Sequence, residues 1–463
     1  MSYATYAILF IGVYMLGMVA IGMWIARRET SGDFIIGGRK VGLLPTAASL
    51  AASFRDGAGI ALWLTLGLHG GYGPAFWFFT AIGVSAFVIS FFGPRVRRQA
   101  EEHNHLTMSE RVEQFIGPHT ARLTAVVTLV FSLFLIALQY HIAGGVFARM
   151  LGWEPVWGVA LVMAILITYL VMGGYKSVII TDTIQFFIIV SFIALPLFVV
   201  PDMVDVANVQ SIFSGSLDET LSYAFGGFFL LLVLPECWQR IMSARDMRTV
   251  RWSMPLAVLL LVIMTLSLVW FGMGLRLAVP DINMAEPYFD LFTGEGKLPA
   301  PMLGYIALVF VAITMSTQSA SCYAFVATLG KVLMKSSVST DKKYMHFSRI
   351  AMVLVLVTSA ALALVISDVI RYFFDVLGFI IVLAPIYIVA AMTPTPWLGN
   401  TPAARAELDR TLVAITLVAI VLYLVLFLTD ASKISYNALN LPVLMSCVVT
   451  GLYVWRRKLA YKG

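Results

Sequence analysis

Charge is what this sequence has least of. Of its 463 residues only 12% are Asp, Glu, Lys or Arg, while 60% are hydrophobic. A water-soluble chain carries about 25% charged and 45–50% apolar residues, so the polar surface here is too small for water. Cysteine is scarce as well. Cys237, Cys322 and Cys447 fall in apolar runs at no metal-like spacing and read as small packing residues. Ten-residue alternating segments are missing, which excludes an outer-membrane barrel. There is no nucleophile elbow, no zinc-type His/Glu spacing and no phosphate-binding loop, so neither a membrane enzyme nor an ATP-driven pump finds support. The first apolar run, Tyr3 to Ile25, has no basic stretch before it and no cleavage site after it. It reads as a retained helix rather than a signal peptide.

What is present is a succession of apolar stretches of about 20 residues, each long enough to cross a hydrocarbon core of about 30 Å. The chain therefore reads as an all-α polytopic membrane protein. Crossings are expected at about 3–25, 41–72, 73–93, 120–148, 155–172, 177–200, 221–243, 252–276, 301–334, 347–367, 369–393, 409–429 and 436–455. The formal net charge of +6 is unevenly spread. One set of loops and helix ends holds most of the Lys and Arg, among them Arg27, Arg28, Arg39, Lys40, Arg95, Arg97, Arg98 and Arg111. The other holds only Arg149, Arg276, Lys297, Arg371 and Lys433. That asymmetry places the N-terminus outside and the C-terminus in the cytoplasm. The positive excess is a topology signal and not a nucleic-acid surface.

No soluble domain interrupts the crossings. The longest polar pieces are 95–117, on the cytoplasmic side, and 279–300, outside. The first contains TMSERVEQF, expected as a short surface helix. Its His103 and His105, with His119 beyond, have no Cys or paired carboxylate beside them and read as loop residues.

Two apolar segments are interrupted alike. FRDGAG (54–59) puts Arg55 and Asp56 at membrane depth, where one charge costs roughly 2.5–3.5 kcal/mol on insertion scales. AFGGFF (224–229) is followed by LPECWQR (234–240). Each broken segment is followed by four ordinary crossings. This gives two five-helix units, about 41–200 and 221–393, with peripheral helices at about 3–25, 409–429 and 436–455. Five being odd, the second unit enters from the opposite face. Matching Gly/Pro-interrupted helices in inverted halves point to a midplane binding site. Close helix packing explains Gly226 and Gly227 equally well, but not the charges beside Gly57.

The residues resemble the sodium/solute symporters, whose members include the sodium–proline, sialic acid and sodium–glucose cotransporters. The resemblance rests on SGDFIIGGRK (31–40), GGYKSVIITDTIQ (173–185), LPECWQRIMSARD (234–246) and VAITMSTQSAS (311–321), four motifs in the family's order over about residues 31–330. It implies a LeuT-like core of two inverted five-helix repeats, with one helix before and two after, about 13 crossings in all. It also implies Na+-driven alternating access. Sodium is a hard cation that takes oxygen ligands. Carried over residue by residue, the family's main sodium site would use carbonyls of Phe54, Gly57 and Ile313 and hydroxyls of Ser316 and Thr317. Asp182 falls on the acid that some members use for a second sodium, and Ser319 fits that second site. Ala320 stands where two-sodium relatives carry Ser, which favours one ion.

Asp56 sits where proline-type members carry an Asp, consistent with a sodium-linked or amine-facing role. Arg55 departs from the family, which has a small residue there. It either receives a substrate carboxylate, for which its planar fork is suited, or pairs internally with Asp56, Asp182 or Glu236. Asp375 either meets an amino group or pairs with Arg371 one turn away. Tyr72 and Trp77, with Trp63 and Phe78, are candidates to line or gate the pocket, lipid or core packing being the alternative. Trp238, Gln239 and Arg240 match the family motif and are expected at a gate or helix end. The expected function is inner-membrane sodium-coupled import of a small organic solute, a carboxylate or amino acid, by a monomer or weak homo-oligomer in the lipid bilayer. The alternative is a sensor module of the same fold. The chain ends at WRRKLAYKG with no signalling domain attached, which favours transport.

Overall fold

A computed structural model of the chain describes residues 2–26, 37–69, 72–192, 217–278, 299–334, 342–393, 398, 401–429 and 438–462. Residues 31–36 of the first family-like motif and 279–298 of the longest outer loop lie outside the described residues. Among the described residues the chain is helical, and its one β-bridge joins Val41 to Ala244. The helices are α1 (Tyr3–Ala26), α2 (Leu43–Phe54), α3 (Gly57–His69), α4 (Gly73–Glu102), α5 (Met108–Phe115), α6 (Pro118–Leu151), α7 (Pro155–Met172) and α8 (Tyr175–Ser191). They continue as α9 (Leu217–Val233), α10 (Pro235–Ser243), α11 (Met247–Ala278), α12 (Ala300–Met334) and α13 (Lys342–Ala363). The last four are α14 (Val369–Ile381), α15 (Ala384–Met392), α16 (Pro402–Leu428) and α17 (Leu441–Lys462).

Helix falls on all the ranges expected from the apolar runs, since in a membrane a backbone must satisfy its own hydrogen bonds. Thirteen crossings are expected from the sequence. Seven of these helices are long and apolar enough to span, or nine if the bent pairs α9/α10 and α14/α15 each count as one. Helices α2, α3 and α7 are apolar but shorter. The surface helix α5 forms as expected, because Thr107 and Glu110 close a capping box over its first turn.

Three interruptions shape the bundle. The first lies between α2 and α3, at Arg55 and Asp56, as expected from FRDGAG. The second falls at Leu234, at the start of LPECWQR, while α9 runs unbroken through Gly226 and Gly227. There Pro235 forces the preceding residue out of the helical region (φ −66°, ψ 118°), with a 44° bend. Gly227 instead allows contact with α4, since a Cβ there would stand 2.4 Å from the Phe78 carbonyl. A third interruption, at Val382 and Leu383 between α14 and α15, bends the chain by 41° where a single helix was expected.

The broken pairs sit inside the bundle: α2 packs on α8 and α11, α3 on α11, α9 on α4, and α12 on α6 and α1. The α3–α11 crossing is the tightest approach used below. A Cβ at Gly67 would lie 2.3 Å from the Val269 carbonyl, and one at Gly272 would lie 2.4 Å from the Leu64 carbonyl. Small residues at such crossings let backbones touch.

At one end of the bundle, arginines bind helix C-terminal carbonyls. Arg39 donates to the carbonyls of Met242 (2.9 Å), Ala100 (2.9 Å) and His105 (2.8 Å). Arg97 donates to Ala244, Arg95 to Met392, and Arg111 to Ala390 and Thr393. Cations suit the negative ends of helix dipoles. Arg39 itself holds a left-handed backbone (φ 57°), which its three hydrogen bonds offset.

Candidate functional site

The site is built from the two helix breaks. Helix α2 stops at Phe54 because Arg55 leaves the helical region (φ −89°, ψ 72°). Helix α3 restarts at Gly57 with Asp56 as its cap, Oδ1 accepting the Gly59 N–H at 2.5 Å. A carboxylate at a helix N-terminus satisfies an orphan donor and meets the positive end of the dipole. From α6, Gln139 Oε1 accepts the Gly57 N–H at 2.8 Å. Both glycines answer to space: a Cβ at Gly59 would stand 2.7 Å from Asp56 Oδ1, and one at Gly57 would stand 2.8 Å from Thr314 Cγ2. Asp56 therefore belongs to the break as a structural cap.

Arg55 is 1% exposed and turns toward α11. Its Nη2 donates to the Leu261 carbonyl at 3.1 Å and to the Thr265 hydroxyl, while its Nε has no partner. Among the described residues it forms no ion pair with Asp56, Asp182 or Glu236. Asp182 is paired instead with Arg240, at 3.0 Å with both side chains fully buried.

Asp182 is the hub of a network across four helices. Oδ2 accepts from Ser49 Oγ at 2.6 Å and from Arg240 Nη2, while Oδ1 accepts from Ser316 Oγ at 2.9 Å. Arg240 also donates from Nε to Ser49 Oγ at 2.8 Å and from Nη2 to Ser53 Oγ at 2.6 Å. A buried charge is tolerated when it is paired and its remaining positions are hydrogen-bonded. Helices α2, α8, α10 and α12 meet here.

One turn away, oxygens converge beside the first break. Thr317 Oγ1 lies 3.2 Å from the Ser53 carbonyl and 3.4 Å from the Ile313 carbonyl. The last carbonyls of α2, Ser53 and Phe54 included, have no next turn to accept from. The α3 ladder begins at the cap, where the Asp56 carbonyl accepts the Ile60 N–H at 3.1 Å, and Gly57 is the first residue of the helix. Three uncharged oxygens within reach of one another are a donor set that suits a hard cation. Ser319 Oγ turns back onto the Ser316 carbonyl at 2.9 Å, so Ser316 and not Ser319 faces Asp182.

Above these oxygens lies a cavity of about 50 Å³. A single water needs about 10–15 Å³, so several fit. Phe54, Arg55, Asp56, Glu236 and Thr317 contribute to its wall, with apolar residues around them. Trp63 and Phe78 line it, their rings 5.2 Å apart. Tyr72, Trp77 and Asp375 are not among its lining residues. Tyr72 precedes α4, and Trp77 stands half-buried, edge-on to Phe76 at 5.2 Å. Asp375 Oδ2 is 3.9 Å from Arg371 Nε, the intrahelical pairing, and its carbonyl accepts from the Tyr423 hydroxyl.

Several site residues were not singled out from the sequence. Gln139, Ser49 and Ser53 had one available signal, a polar side chain inside an apolar run. Arg240 was placed at a gate or helix end, and Glu236 only as a possible partner of Arg55.

An all-helical membrane protein with two helices broken around a small cavity that holds a few charged and polar groups has the architecture of a secondary transporter with a LeuT-like fold. Solved structures agree. A Na+-coupled sialic acid symporter in a substrate-bound outward-open state superposes with TM-score 0.79 at 16% identity, over 97% of either chain. A nucleobase-cation-symport-1 family transporter superposes with TM-score 0.56 at 14% identity, over 90% of this chain and 93% of its own. Residues 34–392 match the Sodium:solute symporter family. The chain belongs to that family, and Na+ is its coupling ion. Similar curated proteins include sodium/proline symporter 2 of Staphylococcus saprophyticus, 24% identical over 76% of this chain and 72% of that protein. The high-affinity proline transporter PutP of Bacillus subtilis is 23% identical over 75% and 78%. The human high affinity choline transporter 1 is 26% identical over 53% and 46%.

Proposed function

We propose that this protein is a sodium-coupled importer of a small carboxylate-bearing solute, amino acids included, and not an enzyme. One observation carries the substrate class. Arg55 is buried in the cavity wall with an unpartnered Nε. A buried guanidinium donor left open suits a carboxylate, which accepts in the plane of the fork. The similarity to proline transporters supports the same class. Sodium binds at the Thr317 hydroxyl with carbonyls of Ile313 and the end of α2, Ser53 and Phe54 among them. Gly57 and Ser316 complete the neighbourhood, and Asp182 holds Ser316 in place. With Asp182 paired to Arg240, a single ion per cycle is the favoured stoichiometry.

The two five-helix units, about 41–200 and 221–393, rock around the breaks at Arg55–Asp56 and Leu234. Sodium bound between α2 and α12 ties the first break to its neighbour and completes the wall from which Arg55 receives the solute. Asp375, Tyr72 and Trp77 lie outside the cavity wall. The protein sits in the cell inner membrane with its N-terminus outside.

The test is a thermal-shift screen of small carboxylates with and without Na+, on wild type, Arg55→Gln and Thr317→Ala. Sodium should strengthen carboxylate stabilisation of wild type, R55Q should lose the carboxylate effect, and T317A should lose the sodium effect. Equal stabilisation of wild type and R55Q by carboxylates refutes the role of Arg55. Potassium matching sodium refutes the coupling.

A further inference from the structure

We infer that Glu236 selects the charge state of the substrate, so that the cavity takes a zwitterion, an α-amino or imino acid with an apolar side chain, and rejects a carboxylate that lacks the ammonium group. The inference rests on the reading that Arg55 receives a carboxylate. Glu236 lies in the first turn of α10, just past the break at Leu234, and is 3% exposed. It lines the same cavity as Arg55. Its Oε1 accepts from Ser321 Oγ at 3.1 Å, while its Oε2 has no partner.

Arg55 is arranged in the same way, with Nη2 anchored on α11 and Nε open. The residues of the cavity wall thus carry one unpartnered cationic donor and one unpartnered anionic acceptor, both buried. Each is fixed by its other atoms, and the two come from different broken helices. Asp56 is the other carboxylate of the wall, and its Oδ1 caps α3. Elsewhere the wall is apolar, formed by Leu62, Trp63, Phe79, Ile82, Phe131 and Leu135 among others. That surface suits a hydrocarbon side chain and offers nothing to a third charge.

Counting charges gives the same answer. Arg55 offsets one of the two carboxylates in the wall, which leaves one negative charge, and Asp182 is cancelled separately by Arg240. One sodium ion makes the site neutral. A zwitterion keeps it neutral, whereas a bare carboxylate leaves an uncompensated buried anion. Burying an unpaired charge is among the largest penalties a closed site imposes. Leaving Glu236 Oε2 unpaired adds to it, and a site built to bond a substrate N–H discriminates strongly against analogues without one.

The experiment is a Na+-dependent binding screen of the full-length protein in detergent, by thermal shift and competition. It covers the protein amino acids and their deamino analogues, with propionate for alanine, cyclopentanecarboxylate for proline and 4-methylpentanoate for leucine. At least one apolar amino acid should bind about 100-fold or more tightly than its deamino analogue. Glu236→Gln should shrink that ratio at least about tenfold, whereas Glu236→Asp, which keeps the charge, should largely retain it. Monodisperse elution of E236Q on size exclusion excludes misfolding as the cause. Deamino analogues binding as well as amino acids, or a ratio unchanged in E236Q, overturns the role of Glu236 and leaves the carboxylate reading standing. Absence of binding by any carboxylate of either kind overturns the carboxylate reading itself.

Discussion

Neutralising Asp182 while keeping its shape, as Asp182→Asn, should destabilise the bundle far more than any exposed charge change. The carboxylate is fully buried and accepts from Ser49, Ser316 and Arg240. Removing one partner of a buried pair costs about 3–5 kcal/mol, chiefly because the other charge is stranded. Arg240→Gln should cost a similar amount for the mirrored reason. The double variant removes both charges, so it should be less destabilised than the two singles added together. A coupling energy of about 2 kcal/mol or more is expected, within the range seen for contacting charges. Thermal unfolding in detergent can be followed through thiol labelling, because Cys237 and Cys322 are free and buried and react only once the bundle opens. A loss under about 0.5 kcal/mol for D182N, or a double variant equal to the sum of the singles, would refute this account of the network.

Two further outcomes follow from particular contacts. Gly272→Leu should abolish folding or cost several kcal/mol, since even a Cβ there would stand 2.4 Å from the Leu64 carbonyl; membrane yield and monodispersity check it. His105, in the loop between α4 and α5, has its pKa lowered to about 4 by burial, with Arg111, His103 and Arg39 adding positive charge nearby. Its neutral ring donates from Nε2 to Gln114 Oε1. The folded state therefore binds fewer protons than the unfolded one between about pH 4 and 6.5, so this contribution is present at neutral pH and is lost as pH falls through that window. Discounted for partial solvent access, it is about 1–2 kcal/mol. His105→Gln should flatten the corresponding slope in thermal stability between pH 7.5 and 5, and an unchanged slope would assign it to other groups.

Where the chain is helical was legible, because an apolar run of membrane length admits little else. The first break was legible for a related reason: Arg55 and Asp56 beside two glycines demand an explanation at that depth. The second had two signals, Gly226–Gly227 and LPECWQR. The backbone yields at Leu234, where a proline removes the choice. The third, at Val382 and Leu383, has no charge or glycine at the break, and its signal is Pro385 in the first turn of α15. Within the site, Thr317 beside the Ile313 carbonyl is a local relation, four residues apart on one helix. The partners of Asp182 are not local. Ser49 and Arg240 reach it from 133 and 58 residues away, and only the packing of α8 and α10 against α2 brings them together. For the same reason the capping of α3 by Gln139, 82 residues downstream, leaves no trace in spacing.

Arg39 has a mechanical consequence of its own. One guanidinium bolts three moving parts together: its own loop ahead of α2, the end of α10, and the corner between α4 and α5. Any swing of α10 away from α4 must break bonds to a cation, each worth about 1.5–3 kcal/mol net. The bonds are made to backbone carbonyls, for which water can substitute. Arg39 would act as a latch that yields to hydration.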